Sequence, residues 1–125
     1  MKILVVDDEP YVAPSLAPAL RAGDRVESVT DGREAFDLLM QKPPQFDVAI
    51  VDHMMPGWAG AELIERLQRA GFPGKYLVLS GYLTLEIAAL YRSIGVKHVI
   101  AKPINFGELR SALGEIEHSI NAPGK

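Results

Sequence analysis

Residues 2–8 read Lys2-Ile3-Leu4-Val5-Val6-Asp7-Asp8, a short apolar run that stops at two adjacent carboxylates. A run this short, with no polar alternation, suits a strand buried on both faces, as in parallel sheets. Three later runs have the same form: Phe46 to Val51 leads into Asp52, Tyr76 to Leu79 into Ser80, and Val99 to Ala101 into Lys102. Parallel strands end at one edge of their sheet, and open α/β folds bind ligands there. The pattern therefore predicts three carboxylates, one hydroxyl and one ammonium facing a common crevice.

Between these runs lie segments of helical period with start and stop signals, which makes five β-α units joined by right-handed crossovers. The first helix is predicted from about Pro10 to Ala22, stopping at Gly23. The second starts at Asp31, with Glu34 as a capping-box acid, and ends before Pro43-Pro44. The third covers Ala59 to Ala70, the fourth Thr84 to Ile94, and the fifth begins at Asn105 with Glu108 in the reciprocal capping position. Arg25 to Thr30 is the most polar strand candidate and suits a sheet edge. Helix one carries a conflict: Pro14 and Pro18 each remove a helical hydrogen bond, while Val12, Leu16 and Leu20 share one face. A bent helix with its freed carbonyls in water is expected.

A chain of 125 residues, 48% hydrophobic, suits one domain with a proper core. Its net charge of -3 and its lack of any Lys/Arg cluster argue against direct nucleic-acid binding. Without cysteines it has neither disulfides nor thiolate zinc sites, which fits a reducing compartment. No apolar run is long enough to span a bilayer, and Met1-Lys2 leads into a strand rather than a signal peptide, so a cytoplasmic location without membrane contact is expected. Residues 1–120 are read as the domain, and 121–125 as a frayed tail or the start of a linker.

Asp7, Asp8 and Asp52 bring three negative charges together, against one positive charge from Lys102. Two carboxylates about 4 Å apart repel by about 4 kcal/mol at an effective dielectric near 20, so the cluster needs protons or a cation. Oxygen-only ligands in small number favour Mg²⁺, which often completes its shell with phosphate oxygens. A carboxylate can also attack phosphorus, and Asp52 is the candidate. Such a transfer asks for alignment and charge stabilisation, which a metal, Lys102 and the Ser80 hydroxyl supply. The Asp8 and Asp52 oxygens must then lie within one metal-bridged span.

Asp7-Asp8, Asp52 followed by Met55-Pro56 and Gly60, Ser80-Gly81, and Lys102-Pro103 together resemble the receiver domain of two-component response regulators. The resemblance runs from Lys2 to about Ile120, with every element in order. It implies a (βα)5 flavodoxin-like fold: a five-stranded parallel sheet of order 2-1-3-4-5 with helices on both faces. It implies that Asp52 accepts a phosphoryl group from the phosphohistidine of a sensor histidine kinase or histidine phosphotransfer protein. Asp8, Asp52 and the Met54 backbone carbonyl would bind Mg²⁺, with Asp7 acting mainly through water. Ser80 and Lys102 would contact the phosphoryl oxygens, and the Lys102-Pro103 bond is expected to be cis. The face formed by helix four, strand five and helix five would meet an output partner or a second copy.

Two departures from the family pattern stand out. The position three before the lysine is usually aromatic and is Val99 here. The variable positions flanking the site are Met54 and Tyr82, both bulky and neither a base, which predicts a long-lived phosphoryl mark. Other residues have plainer readings. His53 has no second histidine at ligand spacing and is read as a surface or partly packed side chain. Trp58 is read as a packing or surface residue. Leu83, Ile87, Tyr91 and Ile94 form a core stripe on helix four, with Leu85, Ala88 and Ala89 adding a second apolar face. Two rival functions carry less of the pattern. An aspartyl-nucleophile phosphatase would place its nucleophile on strand one with a second acid two residues on, and a flavin carrier would need a Ser/Thr/Gly-rich first loop.

Overall fold

The computed structural model describes residues 1–121. Five parallel strands, β1 (Lys2–Val6), β2 (Arg25–Val29), β3 (Val48–Asp52), β4 (Lys75–Ser80) and β5 (His98–Ala101), form one sheet of order β2-β1-β3-β4-β5. This is the flavodoxin-like order that the resemblance implied. The central strands are apolar because both their faces are covered. Leu4, Val6, Ala49, Val51 and Val78 point into one core, and Ile3, Val5, Val48, Ile50, Leu77 and Leu79 into the other. Polar β2 lies at the edge, with only Val29 buried.

The helices are α1 (Val12–Ser15), α2 (Gly32–Leu39), α3 (Gly60–Ala70), α4 (Leu85–Ser93) and α5 (Phe106–Asn121). The first core is closed by α2, α3 and α4, and the second by the α1 segment and α5. Polar side chains start three helices as predicted. The Asp31 carboxylate accepts the Arg33 N–H at 3.0 Å, Thr84 Oγ1 the Ile87 N–H at 3.1 Å, and Asn105 Oδ1 the Glu108 N–H at 2.9 Å. Gly71, which closes α3, takes φ 87°, a backbone conformation that favours glycine.

Helix one departs from its predicted span. Instead of one bent helix over 10–22 there is a four-residue α turn, then a 3₁₀ turn at Ala17–Ala19. The prolines divide it: with two donors missing four residues apart, no continuous ladder survives, and the chain falls back on bonds such as Leu16 N–H to Ala13 and Ala19 N–H to Leu16. Past the break, the Pro18 carbonyl accepts from the Arg110 guanidinium. The apolar face persists through the break, because Val12, Leu16 and Ala19 are all buried. The Lys102–Pro103 peptide bond is cis, as expected, and so is Lys42–Pro43. Of the predicted frayed tail, Asn121 closes α5, and residues 122–125 lie outside the described residues.

Candidate functional site

Strand register brings the acids together. Val6 pairs with Val51, so Asp7 and Asp52 follow at the same level on adjacent strands, and Asp52 pairs onward with Leu79, one residue before Ser80. Asp7, Asp8 and Asp52 each offer a carboxylate oxygen within 4.8 Å of the others. That spread is close to the ~4.2 Å between opposite ligands of a Mg²⁺ ion with bonds near 2.1 Å. Asp7 and Asp52 are buried and Asp8 is exposed.

Lys102, just beyond β5, reaches into this cluster. Its ammonium lies 3.0 Å from Asp7 Oδ2, 3.1 Å from Glu9 Oε1 and 3.5 Å from Asp52 Oδ1. Burial alone would lower its pKa, but the hydrogen bonds to Asp7 and Glu9 outweigh it and hold the ammonium above its usual value. Three carboxylates therefore share one ammonium, with Asp8 a fourth negative charge in the cluster. The carboxyl of Asp52 shows the imbalance: burial first, then the Asp7 charge, push it up to about 6 from an ordinary 3.8, against the pull of Lys102. Hard oxygen donors, uncompensated negative charge and a span suited to one ion together fit a divalent cation such as Mg²⁺.

Ser80 is buried at the end of β4, but its hydroxyl is turned toward its own loop, donating to the Tyr82 carbonyl at 3.0 Å and accepting from the Tyr82 N–H at 3.3 Å. The Met54 N–H points at Asp52 Oδ1 at a long 3.5 Å, while the Met54 side chain is 69% exposed. Met54 and Tyr82 line an open cleft of about 870 Å³ together with Asp8, Asp52 and Lys102.

Sequence reasoning missed two arrangements. Glu9 closes a chain from Lys102 to the Tyr11 hydroxyl, which donates to Glu9 Oε2 at 2.7 Å. That bond, with Lys102 second, lowers the Glu9 pKa. The only signal available was its position beside Asp7-Asp8. The second is His53, which is half-buried, with Nδ1 2.5 Å from the hydroxyl of fully buried Tyr91 on α4. Burial lowers the His53 pKa and raises that of Tyr91, so a neutral imidazole faces a protonated phenol. The rest of the α4 stripe is looser than predicted: Ile87 and Ile94 are only partly buried and Leu83 is exposed. Trp58 lies half-buried, with the guanidinium of Arg66 4.1 Å and that of Arg33 5.4 Å from its ring, and meets Phe36 edge-on. Val99 packs at the margin of the first core.

Comparison with known proteins agrees with this geometry. Residues 3–114 match the family model of the response regulator receiver domain. The chain is 37% identical over 116 residues to the transcriptional regulatory protein TcrA of Mycobacterium tuberculosis, covering 90% of this chain and 44% of TcrA. It is 32% identical over 119 residues to the transcriptional regulatory protein YesN of Bacillus subtilis, covering 92% of this chain and 32% of YesN. The chain thus spans less than half the length of these curated relatives. Among solved structures, the Vibrio cholerae chemotaxis protein CheY4 superposes with a TM-score of 0.77 at 30% identity, covering 92% of this chain and 97% of that one. The receiver domain of the Francisella response regulator 1452 has the same fold, with a TM-score of 0.84 at 24% identity over 96% of this chain and 98% of that one.

Proposed function

This chain belongs to the response regulator receiver-domain family of two-component signalling, and on that premise we propose that Asp52 is its phosphoacceptor, loaded in the presence of Mg²⁺ from a phosphohistidine. The observation that carries the reading is the convergence of Asp7, Asp8 and Asp52 within one coordination span, with the Lys102 ammonium 3.5 Å from Asp52. One carboxylate oxygen of Asp52 attacks phosphorus as the phosphorus–nitrogen bond of the donor histidine breaks, the electron pair leaving with the imidazole. A Mg²⁺ ion, held by Asp8, Asp52 and the Met54 carbonyl and by Asp7 through water, would supply charge neutralisation between nucleophile and phosphoryl oxygens. Asp7 and Glu9 keep Lys102 charged and beside the nucleophile. To reach a phosphoryl oxygen, Ser80 must give up its Tyr82 contacts, and this exchange is the switch event.

In this reading the domain catalyses its own phosphorylation and turns over no metabolite, and the phosphatase alternative is not favoured. Its donor is a sensor histidine kinase or a histidine phosphotransfer protein. Its output passes through the face of α4, β5 and α5 to a partner or a second copy. A cytoplasmic location goes with that role; no helix among the described residues is long and apolar enough to cross a membrane. The test is incubation with Mg²⁺ and a small-molecule phosphodonor, read by intact mass. A phosphate-sized gain that is absent in Asp52→Asn and in chelator supports the reading. A gain that survives Asp52→Asn, or none in the wild type, defeats it.

A further inference from the structure

Helix α4 is held to the domain by little. Tyr91 is its one buried residue, whereas Leu85 is 90% and Leu90 43% exposed. The anchor is not only apolar, because its hydroxyl reaches 2.5 Å from His53 Nδ1. His53 stands between Asp52 and Met54, and its main chain is fixed from two sides. The N–H donates to the Leu79 carbonyl at 2.8 Å, and the carbonyl accepts the Gly60 N–H at 3.0 Å. Gly60 leaves no slack around this contact. A Cβ on it would stand 2.6 Å from the Asp52 carbonyl oxygen and 2.9 Å from the Tyr91 hydroxyl. The Asp52–His53 backbone, the start of α3 and the end of the Tyr91 ring therefore occupy one close-packed volume.

Val99 has no polar atom with which to report on the site. The aromatic hydroxyl that does reach the residue next to Asp52 comes from α4, through the His53 side chain. We infer that Tyr91 is a positioning residue: through His53 it fixes the Asp52–Met54 backbone and couples occupancy of the acid site to the order of α4. The inference rests on the receiver reading above. A bound cation that draws on the Asp52 carboxylate and the Met54 carbonyl pulls on the residues either side of His53. The Tyr91 ring must then move with His53, or its buried hydroxyl loses this partner. Because Tyr91 is the buried anchor of α4, either response reaches the whole helix, and by linkage the coupling runs in both directions.

Three proteins test this: Tyr91→Phe, which deletes one oxygen; His53→Ala, which deletes its hydrogen-bond partner; and the double variant. Calorimetric Mg²⁺ titration gives the affinity of each folded protein, and amide exchange of residues 88–93 is followed with and without Mg²⁺ plus beryllofluoride. Each single variant should weaken Mg²⁺ binding about fivefold, with the double variant no weaker than either single one. In the wild type, loading should slow exchange across α4, and each variant should lose that response. Unchanged Mg²⁺ affinity, additive losses, or a retained α4 response would reduce Tyr91 to a packing residue. A merely stabilising contact would lower the melting temperature without moving the affinity of the folded protein. Should Tyr91→Phe fail to fold, half-buried His53→Ala decides by the same two measurements. A wild type that binds neither Mg²⁺ nor beryllofluoride overturns the receiver reading itself, whereas a loaded wild type with silent variants overturns this inference alone.

Discussion

Asp52 ends a wholly apolar strand and is 5% exposed, yet the phosphoacceptor role proposed for it requires it to be charged. Folding raises its pKa from 3.8 to about 6, so the fold favours the protonated acid. That contribution is fully present below 3.8 and is lost as pH rises through about 6, a loss of about 3 kcal/mol. In metal-free buffer, Asp52→Asn should therefore gain about 3 kcal/mol on the wild type between about pH 4 and pH 8. Urea midpoints at the two pH values give the difference directly, and an equal difference at both would show that the carboxyl titrates normally. Around the same acid, Met54 and Tyr82 line the cleft at 69% and 78% exposure, and neither can act as a base. Met54→Asn and Tyr82→Glu should each shorten the aspartyl-phosphate half-life several-fold, measured by intact mass over time. Unchanged half-lives would mean that these side chains do not control access of water. The acids, Ser80 and Lys102 were legible because each ends an apolar run. Glu9 and the His53–Tyr91 pair were not, because a contact between two elements leaves no period in either.

Helices were legible from signals at their ends: polar side chains begin α2, α4 and α5, and Gly71 and Gly95 follow α3 and α4. The first was misjudged because its apolar spacing of four outlasts its hydrogen bonding: the buried face survives while Pro14 and Pro18 break the ladder beneath it. Helix α4 shows the opposite error. Its apolar composition suggested more burial than one tyrosine provides, since apolar side chains that face outward look the same in sequence as those that face inward. Two substitutions one residue apart separate these contributions. Thr84→Ala deletes the side-chain cap on the Ile87 N–H and should cost about 1 kcal/mol. Leu85→Asp, at a 90% exposed position, should change stability by less than about 0.5 kcal/mol, since a first-turn acid also suits the helix dipole. Denaturant midpoints check both, and a large loss for Leu85→Asp would mean that this side chain is covered in solution.

The sheet divides the molecule into two cores that share no side chains, only strands. Residues alternating along β1 and β3 point one way to α2, α3 and α4 and the other way to α1 and α5, and the acid site sits where all of these strands end. A strand cannot be lost from one core and kept by the other, because its inter-strand hydrogen bonds serve both, so the domain should unfold in one step. Trp58 packs against the first core, while Leu109 on α5 is fully buried in the second. Leu109→Ala should cost about 2–5 kcal/mol through the cavity it leaves. Its effect should appear equally in Trp58 fluorescence, which reports on the opposite face, and in far-ultraviolet circular dichroism, which reports on all the helices. Were the tryptophan transition to stay at the wild-type midpoint while the helical signal shifted, the layers would be independent. The strand ends could then not hold the acid site as a unit.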